Sequence, residues 1–234
     1  MTEELNNNKN EHEAKFIISN RKSHQVIEWL RCNCSPDAKF PAGTVSSIYY
    51  DTWGWRFLSE KLNGDYLKTK VRIRWYSDIH NKKHSEVSFA EAKFKIGNRR
   101  EKIRIVTPYS GKWISNTRLD NPKLLVIPLL LRSKGIVLDE NVFPVYQISY
   151  KRMRFIEPYT GVRVCFDYDI SAPRVNNYML PKHNPFRLQT AVFEIKGGIC
   201  ELPYNLHPLT GIGCKKASFS KYSACFQKIM QGSF

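Results

Sequence analysis

The sequence predicts an α+β protein built around a closed, eight-stranded antiparallel β-barrel with flanking helices. Basic residues occupy every second position of several strand-like segments, apolar residues alternate with them, and turn signals separate the segments. Residues two apart in a strand point to one face of a sheet, so each segment has one charged and one apolar face. A closed barrel would turn the charged faces toward a central tunnel and place the apolar faces under the helices.

The N-terminal part alternates strands with helices. Phe16 and Ile18 alternate with polar positions, which indicates a strand, and the next segment has apolar residues at helical spacing. A second strand and a short helix follow before the Asn63-Gly64-Asp65 turn. The predicted elements are a strand at 13–18, a helix at 21–31, a strand at 45–51 and a short helix at 55–62.

The central part consists of the basic strands. Lys68, Lys70, Arg72 and Arg74 alternate with other residues, most of them apolar, and the same alternation of basic residues recurs in the two segments that follow. An ordinary solvated sheet face mixes charges, because like charges on neighbouring positions repel. We therefore expect a multivalent anion against this face. The predicted basic strands span 66–76, 86–96 and 99–106.

The C-terminal part adds further strands and two helices. A helix bent at Pro128 is predicted first, and the Pro158-Tyr159-Thr160-Gly161 turn joins two strands into a hairpin. The elements are a helix at 122–132, strands at 144–157, 161–170 and 191–196, and a final helix at 218–230. With the earlier segments this makes eight antiparallel strands.

Composition restricts the class of protein. The chain has 234 residues with 42% hydrophobic residues, which is enough for a sizeable core, and a formal net charge of +16. Such a charge indicates nucleic acid, an anionic membrane surface or a polyanionic small molecule as partner. The six cysteines form no CxxC pair, so we expect no zinc site.

We predict a disordered N-terminal tail at 1–11 and a single domain at 12–234. The tail lacks the apolar stretch of a signal peptide, and the longest apolar run is too short to cross a bilayer. We therefore expect a cytoplasmic protein without a transmembrane segment. Its oligomeric state does not follow from the sequence.

Acidic residues share the charged strand faces. The pattern Glu-x-Lys occurs at Glu13, Glu91 and Glu194, and Asp167 lies near Arg163. Phosphoanhydride chemistry needs both signs of charge, because Arg and Lys neutralise phosphate oxygens while carboxylates hold a divalent metal. The charged tunnel is therefore a candidate site for this chemistry.

The sequence resembles a known family, the VTC-type polyphosphate polymerase domain of the triphosphate tunnel metalloenzymes. The resemblance covers residues 12–230 and rests on short pieces that occur in the family's order. These pieces are Glu13-Ala14-Lys15-Phe16, Ser47-Ile48-Tyr49-Tyr50-Asp51, Lys70-Val71-Arg72-Ile73-Arg74-Trp75-Tyr76, Glu91-Ala92-Lys93, Tyr150-Lys151-Arg152, Arg163 with Asp167, Glu194-Ile195-Lys196 and Ser220-Lys221-Tyr222.

The resemblance implies a tunnel that binds ATP, triphosphate or polyphosphate with Mn²⁺ or Mg²⁺. Glu194 would be the main metal ligand, with Glu13 as a second carboxylate, and Arg100, Lys102 and Arg104 remain alternatives for one phosphate contact. The expected phosphate-binding residues are Lys15, Lys70, Arg72, Arg74, Lys93, Lys102, Arg104, Arg152, Arg163, Lys196 and Lys221. Of the whole set, the expected catalytic residues are Lys15, Arg72, Arg74, Glu194 and Lys221.

Two positions depart from the family pattern. Ala14 stands where a basic residue is common, and Cys165 stands where the family tends to have Thr. One hydroxyl donor to phosphate would therefore be missing. The expected activity is a metal-dependent phosphotransferase that moves the ATP γ-phosphoryl group to a polyphosphate chain and releases ADP.

Three other functions remain open at this point. With water as acceptor the same site would be an inorganic triphosphatase, and without turnover it would be a polyphosphate receptor. A nucleic-acid-binding module also suits the charge. Such modules interleave exposed aromatic rings with basic residues for base stacking, whereas Phe16, Trp75, Phe94 and Phe155 fall on the opposite face. We therefore expect no nucleic-acid partner.

Overall fold

The structure is a computed structural model and describes residues 12–97, 99–138, 140–181, 184–198 and 201–231. The predicted tail at 1–11 lies outside the described residues. The strands are β1 (His12–Ser19), β2 (Ser35–Pro36), β3 (Ala42–Thr52), β4 (Leu67–Ser77), β5 (His84–Ile96), β6 (Arg99–Val106), β7 (Val142–Ile156), β8 (Arg163–Ala172), β9 (Phe186–Arg187), β10 (Thr190–Gly197) and β11 (Lys215–Lys216). The α-helices are α1 (Ser23–Asn33), α2 (Arg56–Leu62), α3 (Gly111–Asn116), α4 (Val126–Arg132), α5 (Pro208–Ile212) and α6 (Lys221–Gln231).

The prediction of a closed eight-stranded barrel is wrong. The strands form one open antiparallel sheet of 11 strands in the order β11-β1-β10-β8-β7-β3-β4-β5-β6, while β2 pairs with β7 and β9 with β8. Three of the strands contain only two residues each, and the eight longer ones lie where the sequence predicts strands. The molecule is therefore α+β with flanking helices, but within the described residues no backbone pairing joins β6 to β1 or β11.

The two edges of the sheet carry features that oppose closure. On one side, β11 pairs with β1 and covers part of the edge that β6 would need. On the other side, β6 presents four basic residues, and β11 itself consists of two lysines. Like charges on adjacent strands repel, and charged residues on an edge strand disfavour further pairing. Side chains alone bridge the gap, since Arg100 of β6 lies 3.3 Å from Glu13 of β1.

Most helices cover the convex face of the curved sheet. Helices α1 and α5 pack on Phe16, Phe166 and Phe193, which are buried together with Val26 and Leu30 of α1. Helices α3 and α4 pack on a second cluster around the β3 and β4 side chains. These faces exclude water from large apolar side chains, which accounts for much of the fold's stability.

Helix α6 covers part of the concave face instead. Its buried residues Tyr222, Cys225 and Ile229 pack against concave-side residues of β3 and β7, including Tyr49 and Tyr150. The concave face is therefore divided: α6 fills one part with apolar and aromatic side chains, and the basic residues line the remaining cleft. The sequence prediction of a charged lumen along its whole length misses this division.

The helix boundaries differ from the predictions in three places. The segment 122–132 is a 3₁₀ turn at Pro122–Leu125 followed by α4, with Pro128 in the first turn, where its missing N–H costs little. Helices α3 and α5 were not expected, and the final helix begins at Lys221. No helix in the described ranges has the length and apolarity needed to cross a bilayer.

Candidate functional site

Strand register brings the basic residues together in cross-strand rows on the concave face. Residues that face each other across antiparallel strands lie on one side of the sheet. The rows run across β4, β5 and β6. They are Arg72–Glu91–Arg104, Lys70–Lys93–Lys102 and Lys68–Lys95–Arg100. One row thus contains an acid, and the other two consist entirely of cations.

Glu91 neutralises the first group of cations, which we call the Glu91 cluster (Glu91 with Arg72, Arg74, Lys102 and Arg104). The Nε atoms of Arg72 and Arg104 each donate to a carboxylate oxygen of Glu91 at 2.8 Å. Lys102 Nζ lies 3.2 Å and Arg74 Nη1 3.9 Å from the same carboxylate. Burial would raise the pKa of Glu91, but these cations hold it well below its usual range.

Glu194 is the centre of a second group, the Glu194 cluster (Glu194 and Asp167 with Lys15, Arg152, Lys196 and Lys221). Lys15 and Lys221 each place Nζ 3.6 Å from its Oε1 atom. Lys196 and Arg152 place nitrogen atoms 3.9 Å from its Oε2 atom. Burial would raise the pKa of Glu194, but the four cations, Lys221 first, hold it well below its usual range.

Asp167 has much shorter contacts than Glu194. Arg152 donates to both of its oxygens, at 2.6 and 2.7 Å, and Lys221 Nζ lies 2.6 Å from Oδ2. Its carboxylate is thus saturated by a bidentate arginine and an ammonium group. Burial alone would lower the pKa of Lys221, but Asp167 and then Glu194 raise it, so Lys221 remains a cation.

Glu194 is a carboxylate that could ligate a divalent ion. All four cations lie beyond hydrogen-bond distance of this carboxylate, and no hydrogen bond to it occurs in the part of the chain that the structure describes. No group of three His, Cys, Asp or Glu side chains converges among those residues. Mg²⁺ is commonly held by one or two carboxylates and completed by substrate phosphates and water. Glu194 can supply this single ligand. Glu13 is close to it, because Lys15 contacts both carboxylates and its Nζ atom lies 3.0 Å from Glu13 Oε1.

The open end of the cleft is a cavity of about 590 Å³ that we call the basic mouth. Glu13 is the acid in its wall, and burial opposes the charged form of this carboxyl, but Lys15 and Lys196 lower its pKa to about 2. Burial lowers the pKa of Lys70 and of Lys93 to about 8, and nearby cations add to the effect. The cations of the mouth are Lys15, Lys61, Lys68, Lys70, Lys93, Lys95, Arg100 and Lys216.

The structure places every predicted site residue except Arg163 in one of three locations. The Glu91 cluster and the Glu194 cluster contain the other predicted arginines and Glu194, and the basic mouth contains Lys70, Lys93 and Glu13. Among the three alternatives on β6, Lys102 and Arg104 contact Glu91, whereas Arg100 contacts Glu13. Arg163 pairs with Lys196 in the register and lies exposed at the start of β8.

Several residues that line the cleft are not among the site residues predicted from the sequence. Lys61 and Lys216 line the mouth, and nothing in their surrounding sequence singles them out. Aromatic rings also lie beside the charges: Arg104 stacks over Phe89 at 4.2 Å, and Lys221 lies over Tyr150 at 4.8 Å. The prediction that aromatic residues avoid the charged face therefore holds for Phe16, Trp75 and Phe155, which are buried in the convex clusters, but not for the cleft as a whole.

Comparisons with known proteins agree with this fold. The PH1819 protein from Pyrococcus horikoshii OT3 has a TM-score of 0.51 at 15% identity, covering 93% of this chain and 99% of its own. The HpAC1 protein from Hippeastrum, for which a dominant triphosphatase activity is described, has a TM-score of 0.53 at 13% identity and covers 93% and 96%. Identities this low establish similarity of fold alone. No curated protein sequence matches the chain.

The fold and the cleft define a protein with a curved antiparallel sheet and a basic concave face. The family model described as the VTC domain matches residues 10–230. The chain therefore belongs to the VTC domain family, as its short motifs predict. Membership of this family supports an enzyme related to triphosphate or polyphosphate.

Proposed function

We propose that this protein is a metal-dependent phosphotransferase that transfers the γ-phosphoryl group of ATP to the end of a polyphosphate chain. The proposal rests on the surroundings of the Glu194 carboxylate. This buried carboxylate is surrounded by four cations at 3.6–3.9 Å and is saturated by none of them. Such an arrangement suits an ion and a polyanion that enter together.

The cations of the cleft would bind and orient the phosphates. Arg152, Lys196, Lys15 and Lys221 face the position where Glu194 would hold Mn²⁺ or Mg²⁺, which would withdraw charge from the phosphate oxygens. In the reaction the bond between the γ-phosphorus and the bridging oxygen of ADP breaks. A terminal oxygen of the acceptor chain forms the new bond to phosphorus.

The protonation states around the site favour a phosphate acceptor. A terminal polyphosphate oxygen is already ionised, whereas water must lose a proton to attack. Glu194 and Asp167 are poor bases because their pKa values are held low. Lys70 and Lys93 have a pKa of about 8 in the free protein, and the charge of a bound polyanion would raise it again.

An inorganic triphosphatase is the second candidate. The basic mouth is open and about 590 Å³ in volume, so water can reach a bound triphosphate. The dominant triphosphatase activity described for the Hippeastrum protein also belongs to a chain of similar fold. A polyphosphate receptor without turnover would use the same cations.

A single assay separates these functions. Purified protein is incubated with ATP or triphosphate plus Mn²⁺ or Mg²⁺, and the products are sized on a gel. A ladder of chains supports the polymerase, free phosphate alone supports the triphosphatase, and no reaction supports the receptor.

The variant Glu194→Gln tests the metal ligand. It keeps the side-chain shape but removes the charge, so turnover should fall by about 10²-fold or more, since a metal contributes several kcal/mol and each ~1.4 kcal/mol is tenfold in rate. Triphosphate should still bind in calorimetry without metal. Glu28→Gln, which alters an exposed pair with Arg31, is the control. Near-normal metal-dependent turnover of Glu194→Gln would show that Glu194 is only an ion-pair residue.

A further inference from the structure

Lys221 is a buried cation at the first position of a helix. Its Nζ lies 2.6 Å from Asp167 and 3.6 Å from Glu194, and its side chain is only 10% exposed. The first residues of a helix lack part of the helical hydrogen-bond network and tend to fray. The two carboxylates hold the ammonium group, Ser220 Oγ accepts from Ser223 N at 3.4 Å at the start of α6, and the contacts of the next residue bear on where the Lys221 backbone lies.

The next residue, Tyr222, is held on three sides. Its ring stacks between Tyr49 and Tyr146, with centroid distances of 5.0 and 5.1 Å and interplanar angles of 22° and 9°. Its hydroxyl donates to Asp51 Oδ2 at 2.6 Å. The Tyr146 hydroxyl donates to the backbone carbonyl of Tyr222. The stack and both hydrogen bonds therefore hold the residue that follows Lys221.

Asp51 is itself rigidly placed. It lies fully buried on β3, where Oδ1 accepts from the backbone N–H groups of Thr52 at 2.8 Å and Phe57 at 2.9 Å. Oδ2 accepts from Leu58 N at 3.0 Å as well as from Tyr222. One carboxylate thus joins the start of α2, the start of α6 and the central sheet. Neighbouring Cα atoms are only about 3.8 Å apart, so a shift of the Tyr222 backbone displaces the backbone from which the Lys221 side chain projects.

We propose that Tyr222, fixed by its hydrogen bond to Asp51 and by the Tyr49–Tyr146 stack, is a positioning residue that holds the Lys221 ammonium group between Asp167 and Glu194. The role in turnover rests on the proposed function, whereas the positioning itself does not. Tyr222 touches neither the carboxylates of the Glu194 cluster nor the cavity of the basic mouth. It acts through Lys221, whose charge must remain at one place while phosphate oxygens enter and leave.

The test compares two Tyr→Phe variants. Tyr222→Phe keeps the ring in the stack and removes only the bond to Asp51. Tyr50→Phe is the matched control, because Tyr50 is equally buried and its hydroxyl donates to the Leu124 carbonyl at 2.8 Å, on the convex side and away from α6. Both variants lose one buried hydrogen bond, so a general loss of stability should lower the melting temperature of both, and more in Tyr222→Phe because its acceptor is a carboxyl group.

Two measurements separate positioning from stability. The first is the rate at which an amine-labelling reagent modifies Lys221 in ligand-free protein, followed by mass spectrometry. We expect this rate to rise severalfold in Tyr222→Phe and to stay at the wild-type value in Tyr50→Phe. The second is metal-dependent turnover of ATP or triphosphate. We expect kcat to fall about tenfold in Tyr222→Phe with a smaller change in KM, because misplacing a group by a fraction of an ångström is costly in catalysis.

The outcomes are distinguishable. Equal labelling of Lys221 in Tyr222→Phe, Tyr50→Phe and the wild type would overturn the proposal. A wild-type protein without turnover would contradict the proposed function, and the labelling comparison would still decide whether Tyr222 positions Lys221. If Tyr222→Phe does not fold, Tyr146→Phe replaces it, since this change removes the hydrogen bond to the Tyr222 carbonyl and should raise Lys221 labelling in the same direction.

Discussion

At the scale of single residues, three carboxylates on the charged strand faces have different surroundings in the cleft. Glu91 and Asp167 are saturated by short contacts with arginine and lysine. Glu194 has only longer contacts. The Glu-x-Lys spacing predicts that Glu91 and Glu194 lie on charged faces, but it does not distinguish a structural counter-charge from a free ligand.

The Glu91 cluster leads to a prediction about stability. Glu91→Gln would leave the half-buried Arg72 and the buried Arg74, together with the more exposed Lys102 and Arg104, without a counter-charge. Removing one partner of a buried ion pair in this way costs about 3–5 kcal/mol. The free energy of unfolding, measured with urea, should fall by this order, and added triphosphate should restore part of it. Glu28→Gln should change it by less than about 1 kcal/mol, because its pair with Arg31 is exposed. Unchanged stability of Glu91→Gln would contradict the role of Glu91 as the counter-charge.

The lysines of the basic mouth lead to a prediction about pH. Lys70 and Lys93 have a pKa of about 8, so in the free protein both lose their charge as the pH rises through this value. Triphosphate affinity should therefore fall between about pH 7 and about pH 9, by tenfold or more, since a charge-assisted hydrogen bond contributes about 1.5–3 kcal/mol. The double variant Lys70→Arg and Lys93→Arg keeps both charges and should lose less affinity. Calorimetric titration with triphosphate across this pH range measures the affinity. Identical pH profiles for the wild type and the double variant would contradict the prediction.

At the scale of secondary-structure elements, close backbone approach restricts where helices can begin. Helix α3 starts at Gly111, whose missing side chain lets the helix contact β4 and β5. A Cβ atom at this position would lie 2.8 Å from Trp75 Cδ1 and 2.9 Å from the Ser85 carbonyl oxygen. Neither a buried indole nor a backbone carbonyl can move away easily.

Gly111→Ala should therefore destabilise the protein by about 1–3 kcal/mol, the usual cost of overpacking. Gly211→Ala in α5 is the matched control, because nothing lies within 4 Å of the added methyl group there. The control should be neutral or more stable by up to about 1 kcal/mol, since alanine favours helix over glycine. Thermal unfolding of both variants measures the difference, and equal melting temperatures would contradict the close approach at Gly111.

At the scale of the whole molecule, the net charge of +16 is concentrated in a concave cleft. Helix α6 closes one part of this face, and the edges of the sheet approach each other only through side chains such as Arg100 and Glu13. We expect a single flexible polyanion to enter such a cleft and a rigid duplex to reach only its exposed rim.

Polyphosphate should therefore compete strongly with DNA. In a filter-binding assay at fixed ionic strength, long polyphosphate should displace duplex DNA when both are present at equal phosphate concentration, because the buried cations are accessible only to the thinner chain. DNA that remains bound under these conditions would favour a nucleic-acid-binding module instead. Single-stranded DNA of matched length should compete to an intermediate extent, between polyphosphate and duplex DNA.

The sequence by itself predicted the local order of this protein. Alternation of charged and apolar residues depends on the two-residue period of a strand, so the eight long strands, the charged face of each basic strand and the α+β class followed from it. The short motifs also predicted the VTC domain family, because residue types and their order are properties of the sequence.

Only the tertiary structure decided whether the sheet closes and which cations contact each acid. Closure depends on hydrogen bonds between β6 and β1, which are far apart in the chain, and the two lysines of β11 carry no signal that they would cover that edge. The partners of an acid depend on which side chains converge from separate strands. The sequence could therefore not predict that Asp167 is saturated by Arg152 and Lys221 while Glu194 is left open, because distances of a few ångströms arise only when the sheet curves and α6 packs into it.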